Sequence, residues 1–277
     1  MTPFASRLVP ARPDLAADEL RGKVAAARYV PGRPMRVKAS LLDMWTAPGP
    51  EAERSTQLLH GERFTVYEER PDGLAWGQAA LDGYVGYVAS AGLGVPQGKG
   101  LRVTAIWSQA YAEPSIRARV ETELPFLAEV AVAGTTGGYA RLRGGGHVPR
   151  PHLEPVAGDW VAQAERFVGV PYLWGGRSAR GIDCSGLVQL ALLAVGRAAP
   201  RDSDMQEAML GSVLAADAPL RRGDLVFWRG HVGIMQDAAT LLHANGHQMA
   251  VAGEPFAQAV ARIEAAGGGP VTTRRRL

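Results

Sequence analysis

The sequence predicts an α+β chain in which two small β-barrels precede a larger domain of helices and strands. Short β-branched or aromatic runs, separated by Gly, Pro and Asp turns, fill residues 35–150. A stretch with three prolines at 149–158 is typical of a linker. Beyond it, two helical patterns flank a Gly-rich loop and strands follow. We therefore predict an N-terminal segment at 1–34, barrels at 35–97 and 98–150, and an α+β domain at 159–277.

Composition excludes several classes of protein. The 277 residues are 47% hydrophobic and 21% charged, with a net charge of +3, which is typical of a soluble globular protein. A single cysteine excludes a disulfide framework and a cysteine-cluster zinc site. The N-terminus lacks the apolar core of a signal peptide, and no run approaches the roughly 20 apolar residues that span a bilayer. We expect a cytoplasmic monomer with no cofactor, no metal, and neither nucleic acid nor membrane as partner.

Both ends of the chain carry local expectations. Asp14 follows a proline and precedes leucines near helical spacing, which predicts a short helix at 14–27. The three terminal arginines at 274–276 are expected to form a solvated end. The aromatic residues of the β region are consistent with barrel core and equally with the lining of a ligand groove; they include Trp45, Trp76, Trp107, Tyr84 and Tyr87.

The lone cysteine, Cys184, is predicted to begin a buried helix. It follows a Gly-rich loop and precedes LVQLALLAV (187–195), which has good helix formers and no helix breaker. Unpaired N–H groups and the macrodipole at a helix start favour a thiolate over a thiol, which would make Cys184 a nucleophile if a base lies nearby. Considered alone, Cys184 is also consistent with a small buried side chain that has no chemical role.

Two histidines are predicted to supply the base and its partner. Strands are predicted at 221–228, 230–235 and 241–244. The short turn at 237–240 joins the last two in a hairpin. His231 and His243 then lie nearly opposite one another, and their odd numbers place them on one face. Cys184, His231 and His243 can thus supply the three roles that thiol catalysis needs, in the order nucleophile, base and orienting group along the chain. Either histidine alone is consistent with a structural role, and His247 is an alternative to His243.

Several phrases resemble known families. YLWGG (172–176), GIDCSG (181–186), RRGDLVFW (221–228), HVGIM (231–235) and LLHAN (241–245) resemble, in order, the NlpC-type bacterial cysteine peptidases. These are compact papain-like hydrolases that cut cell-wall peptides, and the resemblance covers residues 159 to about 250. GERFTVYEE, AWGQ and DGYVGYV resemble a bacterial SH3-like domain, so both barrels are expected to be SH3-like, with the second the more divergent.

The resemblance implies a role for each site residue. Cys184 is the nucleophile, His231 the general base and acid, and His243 the orienting residue. Substrate-binding residues are implied in both parts of the chain: Asp183, Ser185, Tyr172, Trp174, Asp202 and Ser203 in the peptidase domain, and Glu53 and Tyr84 in the first SH3-like domain. Alternatives remain at three of these positions, namely Asp204 for Asp202, Glu51 for Glu53 and Tyr87 for Tyr84. The backbone N–H of Cys184 is a natural oxyanion donor.

The implied substrate is a murein-derived peptide, L-Ala-γ-D-Glu-diamino acid, cut at the γ-D-glutamyl bond through an acyl-enzyme. Asp183 is expected to cap the helix and to pair with the free ammonium of the substrate. It would then reject peptides whose alanine is joined to sugar, because the carboxylate would be left buried and unpaired. The alternatives are an amidase or acyltransferase of the same fold, or a wall-binding protein without activity.

Overall fold

The computed structural model describes residues 5–98, 100–156 and 158–277. The chain divides into two compact units, residues 1–155 and 156–277. The division falls within the predicted linker at 149–158, part of which is ordered as a strand end and a 3₁₀ turn. Within the described ranges, no helix combines the length and the apolar character needed to cross a bilayer.

The first unit is built almost entirely from antiparallel strands. Its short helix is α1 (Ala5–Leu8), and its first nine strands are β1 (Leu15–Ala17), β2 (Arg28–Val30), β3 (Arg33–Val37), β4 (Leu41–Trp45), β5 (Arg54–Leu59), β6 (Arg63–Glu69), β7 (Leu74–Ala79), β8 (Val85–Ala89) and β9 (Leu93–Gly94). The remaining strands of this unit are β10 (Leu101–Arg102), β11 (Trp107–Tyr111), β12 (Val120–Pro125), β13 (Glu129–Val130), β14 (Val132–Thr136), β15 (Tyr139–Leu142) and β16 (His147–Pro149). Turns of 3₁₀ helix lie at Asp18–Leu20, Ser90–Gly92 and Arg150–Leu153.

The two predicted barrels are open sheets. The first is a seven-stranded sheet in the order β5-β4-β8-β7-β6-β3-β9, and the second a five-stranded sheet in the order β12-β11-β16-β15-β14, beside the pair β10-β13. Among the described residues, no ladder joins the edge strands of either sheet. The prediction of an α+β chain is confirmed, while closure of the barrels is corrected.

The N-terminal segment contradicts the predicted helix at 14–27. Leu15–Ala17 is instead a strand that pairs in parallel with Arg28–Val30. Its Leu15 is fully buried in a cluster with Tyr67, Trp76 and Tyr87. Burial against these aromatic side chains outweighs a weak local helix propensity.

The second unit holds helices around one antiparallel sheet. Its helices are α2 (Trp160–Glu165), α3 (Cys184–Ala194), α4 (Ser203–Met209) and α5 (Phe256–Ala265). Its strands are β17 (Arg177–Ser178), β18 (Gly181–Ile182), β19 (Ser212–Val213), β20 (Asp224–Trp228), β21 (His231–Met235), β22 (Thr240–Asn245), β23 (Ala250–Pro255) and β24 (Thr273–Arg276). The main sheet has the order β19-β24-β20-β21-β22-β23, and β17 pairs with β18.

The three terminal arginines lie in this sheet, so the prediction of a solvated end is wrong. They belong to β24, which pairs with β19 and β20. Arg276 donates from Nη2 to the buried Asp224 carboxylate at 2.6 Å and from Nε at 2.7 Å. A buried carboxylate needs a partner of this kind, which a sequence pattern alone does not reveal.

Candidate active site

The nucleophile candidate begins α3, as predicted. Asp183 is the N-cap, and its carboxylate accepts from the Gly186 N–H at 2.7 Å. The cap holds Cys184 in the first turn, where backbone N–H groups lack acceptors inside the helix. Ten residues of α3, 184–193, are buried and most of them are apolar, so the helix start is fixed by packing behind it.

Burial of Cys184 favours its thiol over the thiolate that the helix start alone would favour. Burial, and then the neighbouring charge of Asp183, raise its pKa to about 12. The backbone N–H groups of Val232 and Ser185 contact the sulfur and lower the pKa of the thiol, but by less than burial and Asp183 raise it. The contact with Val232 places the thiol beside the start of β21, where His231 lies.

The histidine hairpin is confirmed. Ile234 pairs with Leu242 and Met235 with Leu241, a register that continues to Gly233 opposite His243. His231 is two residues away on the same face, and its Nε2 lies 2.8 Å from Nδ1 of His243.

The sequence analysis missed Glu254 and Arg262, which continue the series of polar contacts from His231 and His243. Nε2 of His243 lies 2.7 Å from Oε1 of Glu254 on β23. Arg262 of α5 forms an ion pair with the same carboxylate. The alternation of side chains along β23 could have indicated Glu254. His243 pairs with Ala252, and residue 254 lies two positions further along the strand, so it shares a face with His243.

Both rings are neutral near neutral pH. Burial lowers the pKa of His231 to about 3, with further lowering by His243 and Arg262. Burial also lowers the pKa of His243, against the opposing effect of the Glu254 hydrogen bond and charge. A neutral imidazole beside a neutral thiol can accept its proton, which is the requirement for a general base.

A buried guanidinium, also missed from sequence, organises the loop before the nucleophile. Arg201 donates to the two carboxylate oxygens of Asp183 at 2.9 and 2.6 Å, and to the Ser185 hydroxyl at 3.0 Å. The carboxylate also accepts from the Gly175 N–H at 2.9 Å and from the Ser185 hydroxyl at 3.2 Å. Asp183 is therefore paired without any substrate ammonium, and the reason predicted for rejecting sugar-linked alanine is wrong. Nothing in the local sequence around Arg201 marks it as buried.

The other predicted substrate residues of this unit stand around the helix start. Tyr172 is half-buried; burial raises the pKa of its hydroxyl, with smaller increases from Cys184 and Asp183, so it lies near the nucleophile. Trp174 is exposed. Asp202 occupies the N-cap position of α4 without a side-chain cap bond, and Ser203 is buried in the first turn.

The remaining predicted residues occupy distinct environments. Glu53 is exposed in the first unit, whereas Tyr84 is buried there. The alternative Tyr87 accepts from Arg12 through its hydroxyl at 2.9 Å. Contact of Glu53 and Tyr84 with a substrate stays a prediction. His247, the alternative to His243, lies exposed in the turn after β22.

A thiol at the start of a buried helix, beside a histidine hairpin in an α+β unit, defines the class of papain-like cysteine hydrolases. Comparison with known proteins gives the family. Residues 169–261 match the NlpC/P60 family, and residues 44–93 match the bacterial dipeptidyl-peptidase SH3 domain. The second unit therefore carries an NlpC/P60 cysteine peptidase domain, of a family of hydrolases, and the first unit carries a bacterial dipeptidyl-peptidase SH3 domain.

Two curated relatives match parts of the chain at modest identity. The γ-D-glutamyl-L-lysine dipeptidyl-peptidase of Bacillus subtilis is 32% identical over 141 residues, which cover 45% of this chain and 47% of that protein. The protein of the same name from Bacillus cereus is 29% identical over 219 residues, covering 69% of this chain and 65% of that protein. The chain thus spans about half of the first relative's length.

One solved structure has the same fold over most of the chain. The crystal structure of an NlpC/P60 family protein from Bacillus cereus superposes with a TM-score of 0.74, covering 88% of this chain and 99% of that one. At 19% identity, this likeness concerns the fold alone.

Proposed function

We propose that the chain is a cysteine peptidase that hydrolyses the γ-D-glutamyl–diamino acid bond of small murein peptides with a free N-terminal L-alanine. The observation that carries the proposal is the hydrogen-bonded pair His231–His243 beside Cys184 at a helix start. Two relatives named γ-D-glutamyl-L-lysine dipeptidyl-peptidase support the substrate class. The cytoplasmic location belongs to the same proposal and stays a prediction.

Acylation begins from the neutral pair. Because Nε2 of His231 is engaged by His243, Nδ1 is the nitrogen that takes the thiol proton. The raised pKa of Cys184 and the lowered pKa of His231 mean that proton transfer accompanies attack on the γ-carbonyl carbon. The sulfur–carbon bond forms, and the carbonyl oxygen becomes an oxyanion that the Cys184 N–H stabilises.

Collapse of this intermediate breaks the carbon–nitrogen bond. His231 returns its proton to the leaving amine, and a thioester with the γ-carboxyl of D-glutamate remains on Cys184. Water then attacks the thioester while His231 again accepts a proton; the carbon–sulfur bond breaks, and His231 returns this proton to the sulfur of Cys184. The products are L-Ala-γ-D-Glu and the free diamino acid.

The test is mass spectrometry of the products from defined substrates. The tripeptide L-Ala-γ-D-Glu-meso-diaminopimelate, its lysine counterpart and an intact glycopeptide are incubated with the wild-type protein. Release of L-Ala-γ-D-Glu from the tripeptides alone supports the proposal. Cleavage at the sugar–peptide junction would indicate an amidase, and transfer of the acyl group to an added amine would indicate an acyltransferase. The absence of any product would indicate a wall-binding protein. Each of these results overturns the proposal.

Substitution of the nucleophile completes the test. Cys184→Ser is expected to lower kcat by at least about 10³-fold, because a hydroxyl paired with this weakly basic imidazole is a poor nucleophile. His231→Ala is expected to do the same, whereas His247→Ala, a matched change of an exposed histidine, leaves turnover unchanged. Full turnover in Cys184→Ser would exclude the mechanism.

A further inference from the structure

The environment of His243 extends the catalytic arrangement beyond three residues. Its side chain is completely buried, and each ring nitrogen has a partner: Nδ1 meets His231 Nε2 at 2.8 Å, and Nε2 meets Glu254 Oε1 at 2.7 Å. The carboxylate of Glu254 is itself only 12% exposed. When a buried ring has a hydrogen-bond partner on each nitrogen, those partners determine which nitrogen carries the hydrogen.

The direction of each hydrogen bond follows from which groups can donate. An ionised carboxylate only accepts, so Nε2 of His243 carries the hydrogen. Since the His243 ring is neutral, its Nδ1 has a lone pair and accepts from Nε2–H of His231. His231, also neutral, then has its lone pair on Nδ1, the nitrogen that must take the thiol proton.

Arg262 is a second partner of the same carboxylate. It projects from α5, and its Nη2 forms an ion pair with the same Oε1 that meets His243. A guanidinium only donates, so the carboxylate acts as an acceptor toward both partners. If Glu254 were protonated, it could donate to His243, and the tautomers of both rings would reverse.

We infer that Glu254, paired with Arg262, is a positioning residue that fixes the tautomers of His243 and His231 so that Nδ1 of His231 is the base toward Cys184. The inference rests on the proposed function for its link to catalysis. The tautomers themselves are a property of the free protein, so they can be tested without a substrate.

The first experiment is nitrogen NMR of the wild-type protein labelled with ¹⁵N-histidine, because two-bond N–H correlations distinguish the two neutral tautomers. The six histidines are assigned with single substitutions. Nε2–H on both His231 and His243 is the expected result. Nδ1–H on either ring overturns the inference even if the peptide is hydrolysed, and the spectrum decides the matter even if it is not.

The second experiment compares two substitutions that act on the ring pair with opposite sign. The charged groups that act on the pair are Glu254 from β23 and Arg262 from α5, with the Cys184 thiol beside His231. Glu254→Gln removes a group that raises the pKa of His243, so the acid limb of the kcat/KM profile moves to lower pH. Arg262→Met removes a cation that lowers the pKa of both rings, so that limb moves to higher pH.

The expected magnitude and control are as follows. Glu254→Gln lowers kcat by about 10- to 100-fold, the usual cost of losing a group behind a directly acting histidine, with KM changed by less than about threefold. Glu264→Gln makes the same chemical change at an exposed position of α5 and leaves both parameters unchanged. The inference is overturned if the acid limbs of Glu254→Gln and Arg262→Met move in the same direction or do not move. Thermal melts of the variants and the wild-type NMR result distinguish these outcomes from misfolding.

Discussion

Removal of the Arg201 guanidinium should strongly destabilise the second unit. Its side chain is fully buried, it pairs with an Asp183 side chain that is 10% exposed, and it also donates to the Ser185 hydroxyl. Arg201→Met keeps much of the volume but leaves the carboxylate buried without its cation. Breaking a buried pair from one side costs about 3–5 kcal/mol, a large part of the roughly 5–15 kcal/mol that keeps a domain folded.

The lone cysteine provides an assay for this unit alone. Cys184 is buried in the native state and reacts quickly once the unit unfolds, so pulse alkylation across a urea gradient reports the free energy of unfolding around α3. Arg201→Met is expected to move the urea midpoint down by an amount equivalent to about 3–5 kcal/mol. Arg197→Met, at an exposed site just after the same helix, is the matched control and should change it by less than about 0.5 kcal/mol.

A double substitution tests whether the unpaired charge is the cause. Asp183→Asn preserves a good N-cap but removes the negative charge. The double variant Asp183→Asn, Arg201→Met should therefore lose less stability than Arg201→Met alone, with a coupling energy of about 0.5–3 kcal/mol. A loss below about 1 kcal/mol for the single variant, or a double variant that is no more stable, would refute the reasoning.

Two further predictions follow from the helix starts. Because the pKa of Cys184 is raised to about 12, alkylation of the native protein should speed up about tenfold per pH unit above neutrality, whereas a plateau below neutrality would reveal a preformed thiolate–imidazolium pair. Asp159 caps α2 by accepting from the Ala162 N–H at 2.6 Å, so Asp159→Ala should cost about 1 kcal/mol in urea unfolding and Asp159→Asn much less; equal losses would contradict a capping role.

The residues proposed to be catalytic could be predicted from the sequence because each lies in a local pattern. Cys184 follows an N-cap and precedes an apolar helix, and the even spacing of His231 and His243 across a short turn places them on one face. These relations concern neighbours along the chain or across one hairpin. Local sequence patterns are therefore sufficient to predict where these three residues lie.

The residues that support the catalytic group were not accessible in the same way. Arg201 and Arg262 look like ordinary surface charges, and their roles arise only when packing brings them to Asp183 and Glu254. The expectation of a thiolate at Cys184 has a related origin, because the helix start was weighed without the cost of burying a charge. The predicted helix at 14–27 failed because an aromatic cluster elsewhere in the unit buries Leu15 as a strand residue.

Burial favours the thiol of Cys184 over the thiolate, and this has a consequence for oxidative damage. Peroxides react with the thiolate, so a cysteine that stays a thiol until substrate arrives is oxidised slowly at rest. Were a sulfenic acid to form, this chain has no second cysteine that could resolve it as an internal disulfide, and rescue would depend on an external thiol. Low resting reactivity thus protects a residue that the chain cannot itself repair.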